Sequence, residues 1–122
     1  MTNHLELGKK GEEHAIQYIL TKGYTLLEKN WRSGKLEVDI IAEDIAKKQL
    51  VIIEVKTRTS NYFIEPEIAV DRQKQRFLVL AANRYVQYKN IHLETRFDII
   101  AITIVKEKMH LNHIEDAFYA MM

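Results

Sequence analysis

The chain has 122 residues, of which 47% are apolar and 29% charged, with a formal net charge of +1 and no cysteine. This length suits one domain, expected to span residues 1–122, and excludes two domains of ordinary size. The missing cysteines exclude disulfides and thiolate metal sites. There is no apolar run of the roughly 18 residues that cross a bilayer, and the N-terminus lacks the apolar stretch of a signal peptide. We therefore expect a cytoplasmic protein that does not contact the membrane.

The first half of the chain predicts one helix and three strands. Apolar residues recur at helical spacing over 4–22, and Gly23 is placed to end that helix in a left-handed conformation. Strands are expected over 24–32, 35–42 and 49–57, with turns between them.

The second and third of these strands differ in pattern. Alternation in the second strand predicts one face formed by Leu36, Val38 and Ile40 and another face formed by Glu37, Asp39 and Ile41. The third strand is apolar on both faces until Glu54, which is typical of a central strand covered on both sides.

The second half predicts a loop that carries Pro66, a helix over 72–88 capped by Asp71, a strand over 96–105 and a short edge strand over 109–114. The element order is thus α-β-β-β-α-β, with a final β. This order favours an α/β fold in which helices flank a mixed central sheet.

The residues that suggest chemistry lie on the second and third strands. Glu54 and Lys56 are two positions apart and so share a face, roughly 6.6 Å from each other. If these strands form a hairpin, Asp39 lies beside Glu54 on that face, where like charges destabilise each other unless a cation compensates. Mg²⁺ suits such a pair, because proteins commonly hold it through one or two carboxylates, waters and phosphate oxygens. Glu37 shares the Asp39 face and fits either a further metal ligand or a surface acid. For Glu54 and Lys56, a surface Glu–Lys pair is the competing interpretation.

Short motifs follow one another in a fixed order over about residues 5–105. They are Gly8, Gly11, Glu12 and Ala15, then Asn30-Trp31-Arg32, Glu37-Val38-Asp39, Glu54-Val55-Lys56-Thr57-Arg58, Ala69-Val70, Lys74 and Arg96-Phe97-Asp98. The ordered set resembles the YraN family, whose members resemble the PD-(D/E)XK nuclease superfamily, including archaeal Holliday-junction resolvases. One position departs from the family pattern, because Leu36 stands where a glycine usually occurs.

The resemblance implies a restriction-endonuclease-like fold and a metal-dependent endonuclease that hydrolyses phosphodiester bonds of DNA, with branched and single-stranded DNA among the candidate substrates. It implies that Asp39 and Glu54 bind Mg²⁺ or Mn²⁺. Lys56 would position and activate the attacking water. Glu12, on the first helix, would orient Lys56 or complete the metal shell.

Basic residues are the candidates for contact with nucleic acid. The resemblance implies that Lys74 meets a substrate phosphate, with Arg72 and Arg76 beside it on the same helix and Arg58 at the end of the third strand. Each basic group taken alone also fits ordinary solvated charge, and Arg58 also fits a structural ion pair with Asp98.

Two other function classes stay open at this point. One is a nuclease-fold module that binds nucleic acid or a protein without cleaving, which the near-neutral net charge favours. The other is a structural partner in a DNA-processing complex. Related resolvases act as dimers, so a homodimer is an alternative to a monomer.

Overall fold

The computed structural model of the chain describes residues 4–60 and 70–119. Its elements are α1 His4–Thr21, β1 Thr25–Ser33, β2 Leu36–Asp44, β3 Gln49–Ser60, α2 Arg72–Lys89, β4 Glu94–Val105 and β5 Lys108–Phe118. The predicted element order is confirmed, and every element except β5 begins and ends within three residues of its predicted bounds. The loop predicted around Pro66 lies outside the described residues.

The five strands form one mixed sheet in the order β1-β2-β3-β4-β5. Neighbouring strands are antiparallel except β3 and β4, which pair in parallel from Gln49↔Glu94 to Ser60↔Val105. Parallel neighbours need a long crossover connection, and the segment between β3 and β4 contains α2. The predicted α/β fold with a mixed sheet is therefore confirmed.

Each helix covers one face of the sheet. Ala15 and Ile19 of α1 pack in a core cluster with Val51 and Ile53 of β3. A second cluster contains the buried side of α2 together with the alternate residues of β3, Leu50 and Ile52. The four residues from Leu50 to Ile53 are at most 1% exposed, so β3 is the doubly covered central strand that its sequence predicts. In the described ranges, neither helix has the length and apolarity needed to cross a membrane.

The ends of both helices follow the local sequence signals. Gly23 has a φ of 90°, a left-handed conformation that costs glycine little. Asp71 is the N-cap of α2 and accepts a hydrogen bond of 2.8 Å from the Lys74 backbone N–H. Asn90, with a φ of 54°, ends the same helix.

The last strand is longer than the predicted edge strand over 109–114. It continues to Phe118 through an irregularity in its pairing with β4, where Asp116 takes a positive φ of 54°. The Asp116 backbone N–H donates to the carboxylate of Asp98 at 3.0 Å, and beyond the irregularity Phe118 stacks on Phe97. The polar pair Glu115-Asp116 marks a bulge within the strand rather than its end.

A buried polar network joins β4 to the elements beside it. The Arg96 guanidinium donates to both Asp98 oxygens, to Asp44 at 2.9 Å and to the Tyr24 hydroxyl at 2.7 Å. His113 lies 2.8 Å from Asp98 through its Nε2. The predicted alternative of an Arg58–Asp98 ion pair is wrong, because Arg58 lies opposite Thr103, five positions further along β4.

Candidate functional site

The site is built where β2 and β3 separate. Their antiparallel pairing ends at Ile40↔Ile53, the last pair before Asp39 and Glu54. The Asp39 carboxylate then accepts a hydrogen bond of 2.8 Å from the backbone N–H of Val55. A side chain of β2 thus satisfies a β3 amide at the point where the ladder stops, and this bond holds the Asp39 carboxylate between the two strands.

The alternation expected along β2 is wrong at this point. Val38 belongs to the core cluster on the α2 side, with Ile41, whereas Ile40 belongs to the α1-side cluster. In β1 the residue across from this break is Asn30, which has a positive φ of 51° and lies between the pairs Lys29↔Ile40 and Trp31↔Val38. The local change in backbone direction redirects the side chains on either side of Asp39.

Leu36 and Trp31 both pack against the α2-side cluster. Leu36, the position that departs from the family pattern, therefore fills part of the core next to the break. Trp31 contacts Tyr85 edge-on, with ring centroids 5.2 Å apart, as expected for a core aromatic.

Asp39 and Glu54 meet, as expected for neighbours on a β2–β3 hairpin. The Glu54 side chain is only 13% exposed. Burial, a hydrogen bond with Asp39 and the charge of Asp39 together raise the pKa of Glu54 to about 8, against a smaller opposing effect of Lys74. At neutral pH the metal-free pair therefore favours one proton over two charges.

Lys56 follows Glu54 on β3. The two residues are two positions apart, so their side chains leave the same face of the strand roughly 7 Å from each other. Lys56 is half-buried and lies opposite Ala101 of β4. The predicted arrangement of a carboxylate and an amine on one face of β3 is therefore present.

Glu12 reaches the site from α1. Burial, followed by the charges of Asp39 and Glu37, raises the pKa of Glu12, and a hydrogen bond from the Asn30 side chain opposes this rise. The close approach of α1 depends on Gly11, because a Cβ at that position would overlap the Thr57 side chain of β3. The glycine before Glu12 thus brings this carboxylate to the β2–β3 gap.

The first turn of α2 contributes Lys74. Its ammonium lies 3.6 Å from a Glu54 oxygen, and its side chain is 40% exposed. The Asp71 cap fixes the start of the helix and so the position from which Lys74 projects. The resulting ion pair is loose enough for the ammonium to reach solvent.

The remaining basic candidates lie elsewhere. Arg72 and Arg76 line a cleft between α2 and the end of β5, away from the Lys74 side of the helix. Positions two apart on a helix point in nearly opposite directions, so Lys74 and the two arginines lie on different sides of α2, and their contact with nucleic acid stays a prediction. Arg58 lies roughly 13 Å along β3 from Glu54. Glu37 pairs with Arg32 at 3.4 Å on the surface.

The donor atoms suit a hard divalent cation bound by few protein ligands. In residues 4–60 and 70–119, no set of three Asp, Glu, His or Cys residues is arranged to hold a metal ion. The Asp39–Glu54 pair supplies two carboxylates that are destabilised by their own proximity. Magnesium is commonly bound in this way, with waters and substrate phosphate completing its shell.

Sequence reasoning missed the role of Asn30. Its side chain hydrogen-bonds Glu12, and its left-handed backbone accompanies the break in β2. The available signal was an asparagine within a strand pattern, because asparagine tolerates positive φ better than most residues.

A family model described as "Uncharacterised protein family UPF0102" matches residues 11–102. The chain belongs to this family. It is the YraN family that the motifs resemble, so the resemblance is confirmed.

Similar relatives, each named a UPF0102 protein, occur in several bacteria. The protein of Phocaeicola vulgatus is 42% identical over 119 residues, which cover 98% of this chain and 97% of the relative. That of Flavobacterium psychrophilum is 44% identical, with 98% of each chain covered. That of Thermodesulfovibrio yellowstonii is 47% identical over 115 residues, covering 94% of this chain and 97% of the relative. The range matched by the family model includes Glu12, Asp39, Glu54, Lys56 and Lys74.

Proposed function

We propose that this protein is a metal-dependent endonuclease that hydrolyses phosphodiester bonds of DNA, built on a restriction-endonuclease-like fold. The observation that supports this most is the Asp39–Glu54 contact at the β2–β3 gap, with the Glu54 pKa raised to about 8. A carboxylate pair held in this state favours a divalent cation, and the amine of Lys56 emerges beside it.

Asp39 and Glu54 would hold the ion, Mg²⁺ or Mn²⁺. Once bound, such an ion lowers the pKa of water and stabilises charge on a phosphate. The hydrogen bond from Val55 fixes the Asp39 carboxylate in position before any ligand binds. Such preorganisation reduces the reorganisation required during reaction.

Three further side chains act around the carboxylate pair. Lys56 positions the attacking water and offsets phosphate charge. Glu12 completes the metal shell from the α1 side, where its carboxylate already senses Asp39. Lys74 leaves its loose contact with Glu54 to meet a substrate phosphate, which its partial exposure permits.

The alternative is a nuclease-fold module that binds nucleic acid or a protein without cleaving. The net charge of +1 favours a protein as the partner of such a module, since surfaces that bind DNA carry an excess of basic residues. A module that binds nucleic acid predicts DNA binding that persists without metal and no cleavage with any metal.

Cleavage of defined substrates separates these proposals. Labelled duplex, single-stranded and four-way-junction DNA would be incubated with the purified protein in Mg²⁺, Mn²⁺ or EDTA. We expect metal-dependent cleavage of at least one substrate, lost in Asp39→Asn and retained in Lys89→Ala, a control at the far end of α2. A wild-type protein that binds DNA but cleaves none of these substrates would replace the endonuclease with the binding module.

A further inference from the structure

A second surface feature lies across α2 from Lys74. It is a cleft of about 450 Å³ between α2 and the end of β5. Arg72 and Arg76 form one wall, and Val79, Phe118 and Tyr119 contribute apolar surface. The site at the β2–β3 gap does not use these residues.

The charged residues that the structure describes in the lining of this cleft are both basic. None of the described residues that line it is acidic. Within residues 4–60 and 70–119, neither Arg72 nor Arg76 forms an ion pair, whereas Lys74 pairs with Glu54. Both arginines are exposed. Two guanidinium groups that have no carboxylate partner among the described residues favour an anion, and their planar shape suits phosphate.

The apolar part of the cleft suits a flat ring. The Tyr119 side chain is 68% exposed at its mouth, and Phe118 and Val79 lie within. Bases that are not paired in a duplex stack on exposed aromatic side chains, whatever their identity. A stacked base with its phosphate on the arginines uses both halves of the cleft, whereas the bases of an intact duplex are not free to enter it.

The cleft also lies where a DNA strand that the site would cleave can continue across α2. Arg72, Lys74 and Arg76 belong to the first two turns of α2, which is about 10–12 Å wide with its side chains. A strand held at Lys74 therefore has to cross only the width of this helix to reach the arginines.

We infer that this cleft binds an unpaired nucleotide that flanks the scissile phosphate, with Arg72 and Arg76 on the phosphate and Tyr119 stacked on the base. The inference rests on the proposed function and narrows it to substrates with unpaired DNA at the flank, such as flaps, junction arms that open, or single strands.

Binding measured without metal tests this inference apart from cleavage. Fluorescence anisotropy in EDTA would compare a labelled single-stranded 12-mer with a hairpin duplex of the same sequence. The Arg72→Ala/Arg76→Ala variant is expected to bind the single strand roughly tenfold more weakly, and its log–log salt slope should fall by about 0.7 because the contact with one phosphate is lost. Tyr119→Ala should weaken the same complex about fivefold or more.

Three control variants identify the cause of any loss of single-strand affinity. Tyr119→Phe keeps the ring and should bind like wild type. Arg72→Lys/Arg76→Lys keeps the charges and should retain the salt slope. Lys108→Ala removes an exposed charge at the opposite end of β5 and should change neither quantity. Duplex affinity should change less than single-strand affinity in the cleft variants.

The outcomes separate this inference from the proposed function. Cleft variants that bind the single strand as tightly as Lys108→Ala would overturn the inference, even if the wild type cleaves DNA. Equal losses for single strand and duplex would also overturn it, since the cleft would then hold phosphate alone. Selective loss of single-strand binding, in a protein that cleaves nothing, would support the cleft and reject the nuclease.

Discussion

At the scale of single residues, Glu54 is subject to opposing influences. Its burial and its contact with Asp39 disfavour its charge, whereas Lys74 favours it, and the net result is a pKa of about 8. The group is therefore neutral over a pH range in which an exposed glutamate is ionised. A raised acid pKa stabilises the fold below the unfolded value, near 4.5, and this stabilisation is lost as the pH rises through the folded value.

We predict that Glu54→Gln removes this pH dependence. In EDTA the wild-type free energy of unfolding should fall by at least about 1 kcal/mol more than that of Glu54→Gln between pH 5 and pH 8. Urea unfolding at both pH values measures this difference. Glu37→Gln is the matched control, because Glu37 is an exposed acid paired with Arg32. Parallel pH dependences in wild type and Glu54→Gln would contradict the burial of this carboxyl group.

Metal binding by the pair has its own signature. Saturating Mg²⁺ or Mn²⁺ should raise the melting temperature, by roughly 10 °C at a hundredfold excess over Kd, because the ion binds only the folded state. Asp39→Asn and Glu54→Gln should abolish this rise. Differential scanning calorimetry with and without metal measures it, and an unchanged rise in both variants would reject these two ligands.

Substitutions of Asp39 separate its role as a metal ligand from its role as the acceptor of the Val55 hydrogen bond. Without metal, Asp39→Asn should be neutral or stabilising, since it relieves the contact with Glu54 and keeps an oxygen that can accept from Val55. Asp39→Ala should instead cost about 1–3 kcal/mol, because the Val55 N–H loses its acceptor.

At the scale of elements, the site depends on how closely α1 approaches β3. Gly11 is buried against Thr57, whereas Gly8, one turn earlier on α1, would meet no atom within 4 Å if it carried a Cβ. Two glycines of one motif therefore have different functions. Gly11 permits the contact that brings Glu12 to Asp39, and Gly8 is not needed for packing.

We predict opposite effects of alanine at these positions. Gly11→Ala should destabilise the protein by about 1–3 kcal/mol, since the added Cβ forces α1 away from Thr57. Gly8→Ala should be neutral or stabilising by up to about 1 kcal/mol, because alanine is the better helix former. Chemical denaturation of both variants measures these effects. Equal stability of the two variants would mean that α1 does not contact β3 at Gly11.

Sequence signals predicted those features of the elements that depend on residues nearby in the sequence. The Asp71 cap and Gly23 mark the helix ends, and the apolar run of β3 marks the central strand. The alternation of β2 failed at Val38, because the break there depends on Asn30 in the neighbouring strand. The end of β5 was missed for a similar reason, since Asp116 is held by Asp98 of another strand.

The candidate site also combines features with local causes and features that depend on tertiary packing. The β2–β3 hairpin predicts the contact of Asp39 with Glu54, and strand periodicity predicts that Lys56 shares a face of β3 with Glu54. Arg72 and Arg76 were grouped with Lys74 by their proximity in sequence, although helix geometry directs them to the cleft on the other side of α2. Helical spacing alone separates the arginines from Lys74, whereas the cleft that they line depends on how α2 packs beside β5 and requires the tertiary structure.

At the scale of the whole molecule, the Arg96 network stabilises the end of the sheet that lies away from the candidate site. Hydrogen bonds from His113 and Arg96 outweigh burial and hold the pKa of Asp98 below its usual value. The pKa of Asp44 is lowered chiefly by its hydrogen bond from Arg96 against the opposing effect of burial. Depressed carboxyl pKa values contribute stability that is present above the unfolded pKa and lost on acidification.

We predict that Asp98→Asn destabilises the protein by about 3–5 kcal/mol at pH 7, because the Arg96 guanidinium stays buried with less compensating charge. Its free energy of unfolding should also fall less than that of the wild type between pH 5 and pH 3. Glu115→Gln, which removes a carboxylate from a more exposed pair with Lys22 and Lys47, should cost under about 1 kcal/mol at pH 7. An Asp98→Asn protein as stable as Glu115→Gln would show that the network does little for the fold.

The measurement that tests the central claim most directly is single-turnover DNA cleavage by wild type and Lys56→Ala, with metal affinity measured on the same preparations. We predict that Lys56→Ala binds Mg²⁺ or Mn²⁺ and DNA nearly as wild type does, because Asp39 and Glu54 are intact, and that its cleavage rate falls by roughly 100-fold or more. Cleavage by Lys56→Ala at the wild-type rate would contradict the role of Lys56, and a wild type that cleaves no DNA with either metal would contradict the nuclease itself.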